Sequence, residues 1–220
     1  MLEKLAKIDA LRWIRILYCY PTKVTPELIE VIASNEKIVK YIDLPLQHGD
    51  NDMLRAMNRR GSVDDYIRLI DILRDKCPDI ALRSTFITGF PGETDKAFDD
   101  LLVFVERIQF DRVGVFTYSR EEGTPASRLG KQVGRKKAEA RRDALMKLQQ
   151  IISLSKNRGF VGKTLEVLVE GRTENGVFGR SYRDAPEIDG VVYIKNSNSE
   201  PGEFVNAKIT GATEYDLESS

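Results

Sequence analysis

The sequence predicts an α/β fold, a parallel sheet built from βα units, followed by a small antiparallel β-barrel. Three observations predict it. Runs rich in β-branched and aromatic residues begin near residues 12, 39, 81 and 112, and each is followed by apolar residues at helical spacing. That alternation is the signature of a parallel sheet. After a long helix from Lys136 to Asn157, the texture changes at Gly159 to short alternating strands punctuated by glycine, proline and Asn175-Gly176, as in small barrels.

Taken in order, Lys4 to Leu11 reads as the last turns of a helix, and Arg12 to Tyr18 as a strand closed by Cys19-Tyr-Pro21. Thr25-Pro26-Glu27 starts the next helix with a capping residue, a proline at the first helical position and an acid near the positive end of the dipole. Its inward residues are Leu28, Ile29 and Ile32, and it fades near Asn35. Val39 to Leu44 is the second strand, running out through Pro45-Leu-Gln47-His48-Gly49. Asp52 to Arg60 is a short helix that stops at Gly61. Ser62 opens another with Asp65 in an acidic variant of the capping box, with Ile67, Ile70 and Leu73 as its buried stripe and Pro78 as its end.

The central stretch is Ala81–Thr94, ALRSTFITGFPGET: a strand, a turn broken at Gly89, Pro91 and Gly92, and a helix capped by Thr94 with Phe98, Leu101, Leu102, Val105 and Ile108 on one face. Arg112 to Tyr118 is the fourth strand, ending in Ser119-Arg-Glu-Glu-Gly-Thr-Pro125. Ligands of parallel α/β folds sit at the carboxyl ends of the strands. Gln47 and His48, then Gly89 to Glu93, then Tyr118 and Ser119 therefore converge on one rim suited to an adenosine-sized ligand. Each has a plainer reading. His48 is the only histidine, and such a residue is commonly a hydrogen-bonded structural one. Gly89 and Gly92 turn the chain, and Glu93 and Thr94 begin a helix. No Gly-Lys-Ser/Thr follows, so the turn is not a P-loop, nor is it a dinucleotide fingerprint. Four strands without a closing edge leave a small open sheet or the later part of a larger one, and the start inside an apparent helix favours the second.

A chain of 220 residues with 41% hydrophobic content has enough apolar material for a core, and no apolar run approaches a membrane span. The charged amphipathic start is not a signal peptide. Cys19 and Cys77 are too few for an iron–sulfur or zinc site, so no metal ligand is expected in this chain. They read as small buried hydrophobes in a reducing compartment, and a cytoplasmic location is expected. Net charge is zero but uneven. Residues 160–220 carry 6 Lys+Arg against 11 Asp+Glu, whereas Lys131 to Arg158 carries 9 basic and 2 acidic residues. Asp184, Glu187 and Asp189 surround a proline-fixed bend in the acidic part. They form either a solvated loop or a docking surface for something basic.

Several motifs together resemble the later half of a methylthiotransferase of the radical S-adenosylmethionine (SAM) superfamily. They are YIDLPLQH at Tyr41–His48 with Met57-Asn-Arg59 after it, RSTFITGFPGET at Arg83–Thr94, and FTYSREEGTPA at Phe116–Ala126. The terminal barrel resembles a TRAM domain. GRSYRDAPEIDGVV at Gly179–Val192 is similar to the branch that modifies a ribosomal protein rather than transfer RNA. The resemblance implies a partial parallel (β/α) barrel, later strands only, in residues 1–130, a basic linking helix in 131–158 and an OB-like TRAM barrel in 159–220. It implies S-adenosylmethionine bound on one 4Fe-4S cluster, a second cluster in an amino-terminal domain, and methylthiolation of an aspartate β-carbon on a small-subunit ribosomal protein. The CxxxCxxC loop of the family is absent, so the chain reads as a carboxy-terminal fragment, inactive alone. By resemblance Gln47, His48, Arg83, Thr85, Gly89, Phe116 and Ser119 line the S-adenosylmethionine pocket. A transfer-RNA methylthiotransferase and a stand-alone RNA-binding module are the alternatives. An RNA-gripping barrel should be basic, whereas this one is acidic and suits a basic ribosomal protein. The basic helix at 131–158 reads either as a contact for ribosomal or transfer RNA or as a solvated face.

Overall fold

The four parallel-sheet strands expected from the sequence form in the computed structural model, which describes residues 1–220. They are β1 (Ile14–Ile16), β2 (Ile38–Gln47), β3 (Ala81–Thr88) and β4 (Arg112–Thr117), and they lie in the order β1-β2-β3-β4. The helices between them are α2 (Pro26–Ser34), α3 (Asn51–Ala56), α4 (Val63–Lys76) and α5 (Asp95–Ile108), after a short α1 (Leu2–Ala6). The start signals act as their chemistry dictates. The Thr94 hydroxyl accepts from the Ala97 N–H at 3.1 Å, and Ser62 and Asp65 form a reciprocal capping box at α4. β3 and β4 pair in parallel, with Arg83 opposite Arg112, Thr85 opposite Gly114 and Ile87 opposite Phe116.

Two strands differ from the sequence reading. β1 is only three residues long, because Tyr18 takes a left-handed φ of 56° and turns the chain out of the extended conformation. β2 instead continues through Pro45 to Gln47. Leu44 and Leu46 both bond to the Ser84 hydroxyl of β3, so Pro45 faces the other side, beyond the end of β1, where no ladder N–H is missed.

Helix α6 (Arg135–Arg158) precedes the barrel strands β5 (Thr164–Thr173), β6 (Gly176–Ser181), β7 (Val192–Lys195), β8 (Phe204–Ala212) and β9 (Leu217–Ser219). The barrel closes in the order β5-β6-β7-β9-β8. Its pairs are antiparallel except β7 with β9, which is parallel. The three-residue β9 carries too short a pattern to be read from sequence, and it joins β7 to β8, so the barrel is mixed rather than wholly antiparallel. Leu165, Val167, Val169, Val177, Val192, Ala207, Ile209 and Leu217 fill its core. Gly179 is required on β6 because a Cβ there would stand 2.1 Å from the Leu168 carbonyl oxygen.

The chain divides into two compact units. The α/β unit comprises Ile16–Ser34 and Ile42–Gln149, and the barrel unit comprises Met1–Arg15, Asn35–Tyr41 and Gln150–Ser220. The amino-terminal ends of β1 and β2 thus cluster with the barrel, and α6 is divided between the units at Gln149 instead of standing as a separate link. No helix is long and apolar enough to cross a membrane.

Candidate functional site at the carboxyl rim of the sheet

Alternation along β3 decides which side chains serve the helices and which face the open side. Phe86 is fully buried, 6.3 Å from the Phe104 ring and 5.7 Å from the Phe110 ring, edge-on to both. Successive strand residues point to opposite faces, so Arg83, Thr85 and Ile87 share the other face, and the β4 register sets Gly114 and Phe116 beside them. Two tiers result.

The lower tier is an ion pair. Arg83 donates to Asp43 of β2 at 3.3 Å and to the Thr85 hydroxyl at 3.2 Å. The Asp43 side chain is 0% exposed and also accepts from the Tyr18 N–H at 3.3 Å. A buried carboxylate of this kind needs its cation and its N–H donors. Burial, and then the neighbouring Asp43 charge, pushes the Cys19 thiol up from its ordinary value. Gly114 lies alongside this tier, and a Cβ there would touch the Arg83 guanidinium at 3.4 Å, close to ordinary contact. Asp43 and Gly114 escaped the sequence reading. The available signal was a lone carboxylate in the otherwise apolar run Tyr41-Ile-Asp-Leu-Pro-Leu, with Arg83 on the next strand to answer it.

The upper tier lies at the strand ends. Gln47 holds a left-handed φ of 75°, an unusual conformation for a residue with a Cβ. Gln47, Met57, Arg59, Ile87, Phe90 and Thr124 border a cavity of about 420 Å³. Phe116, 61% exposed, stands beside Ile87. The Tyr118 ring packs edge-on to Phe90 at 5.2 Å, with its buried hydroxyl lacking a hydrogen-bond partner. Ser119 is exposed and donates to Glu121 at 2.8 Å. The structure therefore brings Gln47, Arg83, Thr85 and Phe116 onto one face, with Ser119 just beyond the end of β4.

His48 and Gly89 are held differently. His48 is fully buried and accepts from the Asp50 N–H through Nδ1 at 3.1 Å, so its neutral ring carries the proton on Nε2, 3.2 Å from Glu93 Oε1. Glu93 Oε2 accepts from the Gly89 N–H and, at 2.8 Å, from Arg141 of α6. Gly89 has a φ of 76°, and a Cβ on it would lie 2.3 Å from the Ala138 Cβ. Thr88 completes the latch by donating to the Ala138 carbonyl at 3.0 Å. The glycine turn is thus the seat of α6, and its bare backbone is covered by a helix.

In the barrel unit, the carboxylates expected to dock a basic partner separate. Asp184 is 1% exposed and accepts from the Ser181 hydroxyl at 2.7 Å. Asp189 accepts from the Tyr41 hydroxyl at 2.7 Å and the Ala185 N–H at 2.9 Å. Arg15 donates to the Tyr182 and Ser181 carbonyls at 2.6 and 3.2 Å, and burial lowers its affinity for its proton. These two acids turn inward because the bend has buried donors to satisfy. Glu187 alone is exposed, with φ 67°. Cys19 and Cys77 are free thiols, and no three His, Cys, Asp or Glu side chains group as a metal-binding set.

The family model of the radical SAM superfamily matches residues 1–105, and that of the TRAM domain matches residues 161–220. A curated relative from Heliobacterium modesticaldum, "Ribosomal protein uS12 methylthiotransferase RimO", is 52% identical over 99% of this chain and 47% of its own length. One of the same name from Thermoanaerobacter sp. is 50% identical over 99% of this chain and 50% of its own. The chain spans about half the length of the curated relatives it matches. Among solved structures, coproporphyrinogen III oxidase (HemN) from Escherichia coli, a radical SAM enzyme, aligns over 77% of this chain and 44% of that one. Its TM-score is 0.55 at 12% identity, a likeness of fold.

Proposed function

The chain belongs to the radical SAM methylthiotransferase family, and from that premise we propose that its sheet rim positions S-adenosylmethionine in an enzyme that methylthiolates an aspartate of ribosomal protein uS12. The observation that carries this is the shared face of Gln47, Ile87 and Phe116 at the carboxyl ends of β2, β3 and β4, with Arg83 and Thr85 one tier below on the same face. The residues fit the cofactor. The exposed Phe116 ring offers a stacking surface, the Gln47 amide a donor and an acceptor, and the neighbouring cavity has largely apolar walls. Ser119 closes the end of β4, while His48 and Gly89 shape the rim from behind. Bound S-adenosylmethionine, with its cluster, supplies the radical chemistry. The residues present do not supply a 4Fe-4S ligand set, so this chain's part is to bind, orient and shield. In the full-length, cluster-loaded protein, Phe116→Ala and Gln47→Ala should each weaken S-adenosylmethionine binding about ten-fold, the size of one lost stacking or hydrogen-bonding contact. Unchanged affinity in equilibrium dialysis would discard this reading.

The partner reading rests on charge. The barrel region carries 11 acidic against 6 basic residues, which suits a basic ribosomal protein in the cytoplasm. Glu187 is the surface member of the bend, so Glu187→Gln should lower affinity for uS12. Equal affinity in a salt-matched pull-down argues against docking at this loop. The relatives named for uS12 leave a transfer-RNA substrate or a purely RNA-binding module unfavoured. Exposed Lys136, Lys147 and Arg158 of α6 support an additional contact with ribosomal RNA, whose signature is a salt-dependent affinity.

A further inference from the structure

We propose that Tyr18 is a contact for the ribosomal protein, its ring face taking a basic side chain near the aspartate to be modified, a role that rests on the rim being the reaction site. Tyr18 lies just past the carboxyl end of β1 and holds a left-handed φ of 56°. That conformation is rare for a residue with a bulky side chain, and it persists only where the surrounding structure enforces it. Here Asp43 does so. Its buried carboxylate accepts from the Tyr18 N–H at 3.3 Å, and its main-chain carbonyl accepts from the Cys19 N–H at 2.8 Å. Arg83 holds that carboxylate from β3, and Pro21 opens a 3-10 turn at Pro21–Lys23 that fixes the chain's exit. Asp43 and Arg83 are thus positioning residues for the turn. The side chain so placed does not pack: Tyr18 is 72% exposed, the highest of any aromatic residue.

A strained turn built over a buried ion pair is a costly way to present a ring to water, and residues strained in this manner cluster at ligand clamps. Two other tyrosines show what a ring face does in this chain. The Arg59 guanidinium lies over Tyr20 at 4.5 Å, and that of Arg15 over Tyr41 at 4.6 Å. The Tyr18 face takes no cation from within the chain, and its hydroxyl makes no hydrogen bond there. A basic ribosomal protein brings lysine and arginine side chains to the rim, and a tyrosine face attracts either of them within about 6 Å of its centroid. β1 and β4 are the two margins of the sheet. Tyr18 at the first therefore gives the protein substrate its own side, apart from the cleft that Gln47, Ile87 and Phe90 border.

The strain itself supplies the test. Glycine adopts a positive φ freely and asparagine tolerates it, so Tyr18→Gly and Tyr18→Asn remove the ring and keep the turn, while Tyr18→Phe keeps the ring. In the full-length, cluster-loaded protein, three quantities are measured: affinity for a uS12 peptide spanning the modified aspartate, affinity for S-adenosylmethionine, and the urea midpoint. Tyr18→Gly and Tyr18→Asn should weaken the peptide about three- to thirty-fold. Tyr18→Phe should match wild type, and the urea midpoint of Tyr18→Gly should stay level or rise, a combination that a purely structural residue does not produce. Replacing the basic residues of the peptide by norleucine one at a time should reveal one whose loss weakens wild type by the same factor and Tyr18→Gly not at all. Peptide affinity in Tyr18→Gly equal to wild type overturns the contact and leaves the cofactor cleft standing. So does a norleucine series that affects wild type and Tyr18→Gly alike, or a Tyr18→Phe as weak as Tyr18→Gly. A fall in the urea midpoint together with affinity also overturns it, because the ring then packs against another part of the full-length protein. Weakened S-adenosylmethionine binding in Tyr18→Gly assigns the ring to the cofactor and overturns it as well. A wild type that binds neither ligand overturns the rim as the reaction site.

Discussion

Asp43 shows how one residue ties the site to the stability of the strand that bears it. Its carboxylate lies within the sheet with Arg83 and the Tyr18 N–H as partners. Asp43→Asn keeps an acceptor for Tyr18 but leaves the Arg83 charge less well answered. Removing one member of a buried pair commonly costs about 3 kcal/mol, and urea unfolding should show a loss of that order. The same change removes the negative neighbour that helps hold the Cys19 thiol up. The pH midpoint for alkylation of Cys19, followed by peptide mass spectrometry, should therefore fall in Asp43→Asn. Burial, the larger cause, keeps it above the ordinary thiol value. A midpoint that stays put would show that Asp43 exerts no field at the thiol.

Among elements, α6 illustrates a helix whose seat was chosen by a turn far away in sequence. Arg141 joins Glu93 at 2.8 Å and Asp95 at 2.7 Å, and Lys137 adds a second contact to Asp95 at 2.7 Å. Arg141 and Glu93 are buried whereas Asp95 is exposed, so the two halves of this cluster differ in weight. Arg141→Met strands the Glu93 carboxylate and should destabilise the α/β unit by about 3 kcal/mol. Asp95 governs a smaller, pH-dependent part. Hydrogen bonds from Lys137 and Arg141 hold its carboxyl below the usual range. Its contribution is therefore present above the unfolded-state carboxylate pKa and is lost as pH falls through the lower folded-state value. The stability difference between wild type and Asp95→Asn should shrink on acidification, and a difference that grew would reverse the assignment.

For the whole molecule, two compact units mean that a single unfolding transition is not guaranteed, and the chain carries a natural reporter for each. Trp13 is the only tryptophan and lies in the barrel unit, its ring edge-on to Phe204 at 4.9 Å. Cys77 is buried in the α/β unit at the end of α4. Arg141→Met should bring Cys77 labelling to lower urea while moving the Trp13 fluorescence midpoint by less. Coincident shifts of both signals would mean that the units unfold as one.

Local chemistry determined much of this protein without help from its tertiary contacts. Capping residues at Ser62 and Thr94, prolines at 26 and 78, and the period of apolar residues set where the helices begin and which face they bury, because those forces act within one or two turns. The motifs from Tyr41 to Ala126 likewise pointed to the rim at the strand ends. What sequence could not decide was the direction of individual side chains. Only the folded chain shows that the Gly89 backbone is pressed against Ala138, that His48 answers Glu93, and that Asp184 and Asp189 turn inward while Glu187 stays out. For Gly89, His48 and the Tyr41 contact of Asp189 the deciding partner lies tens to hundreds of residues away. A buried polar group takes whichever partner the packing delivers, and that delivery is a property of three dimensions.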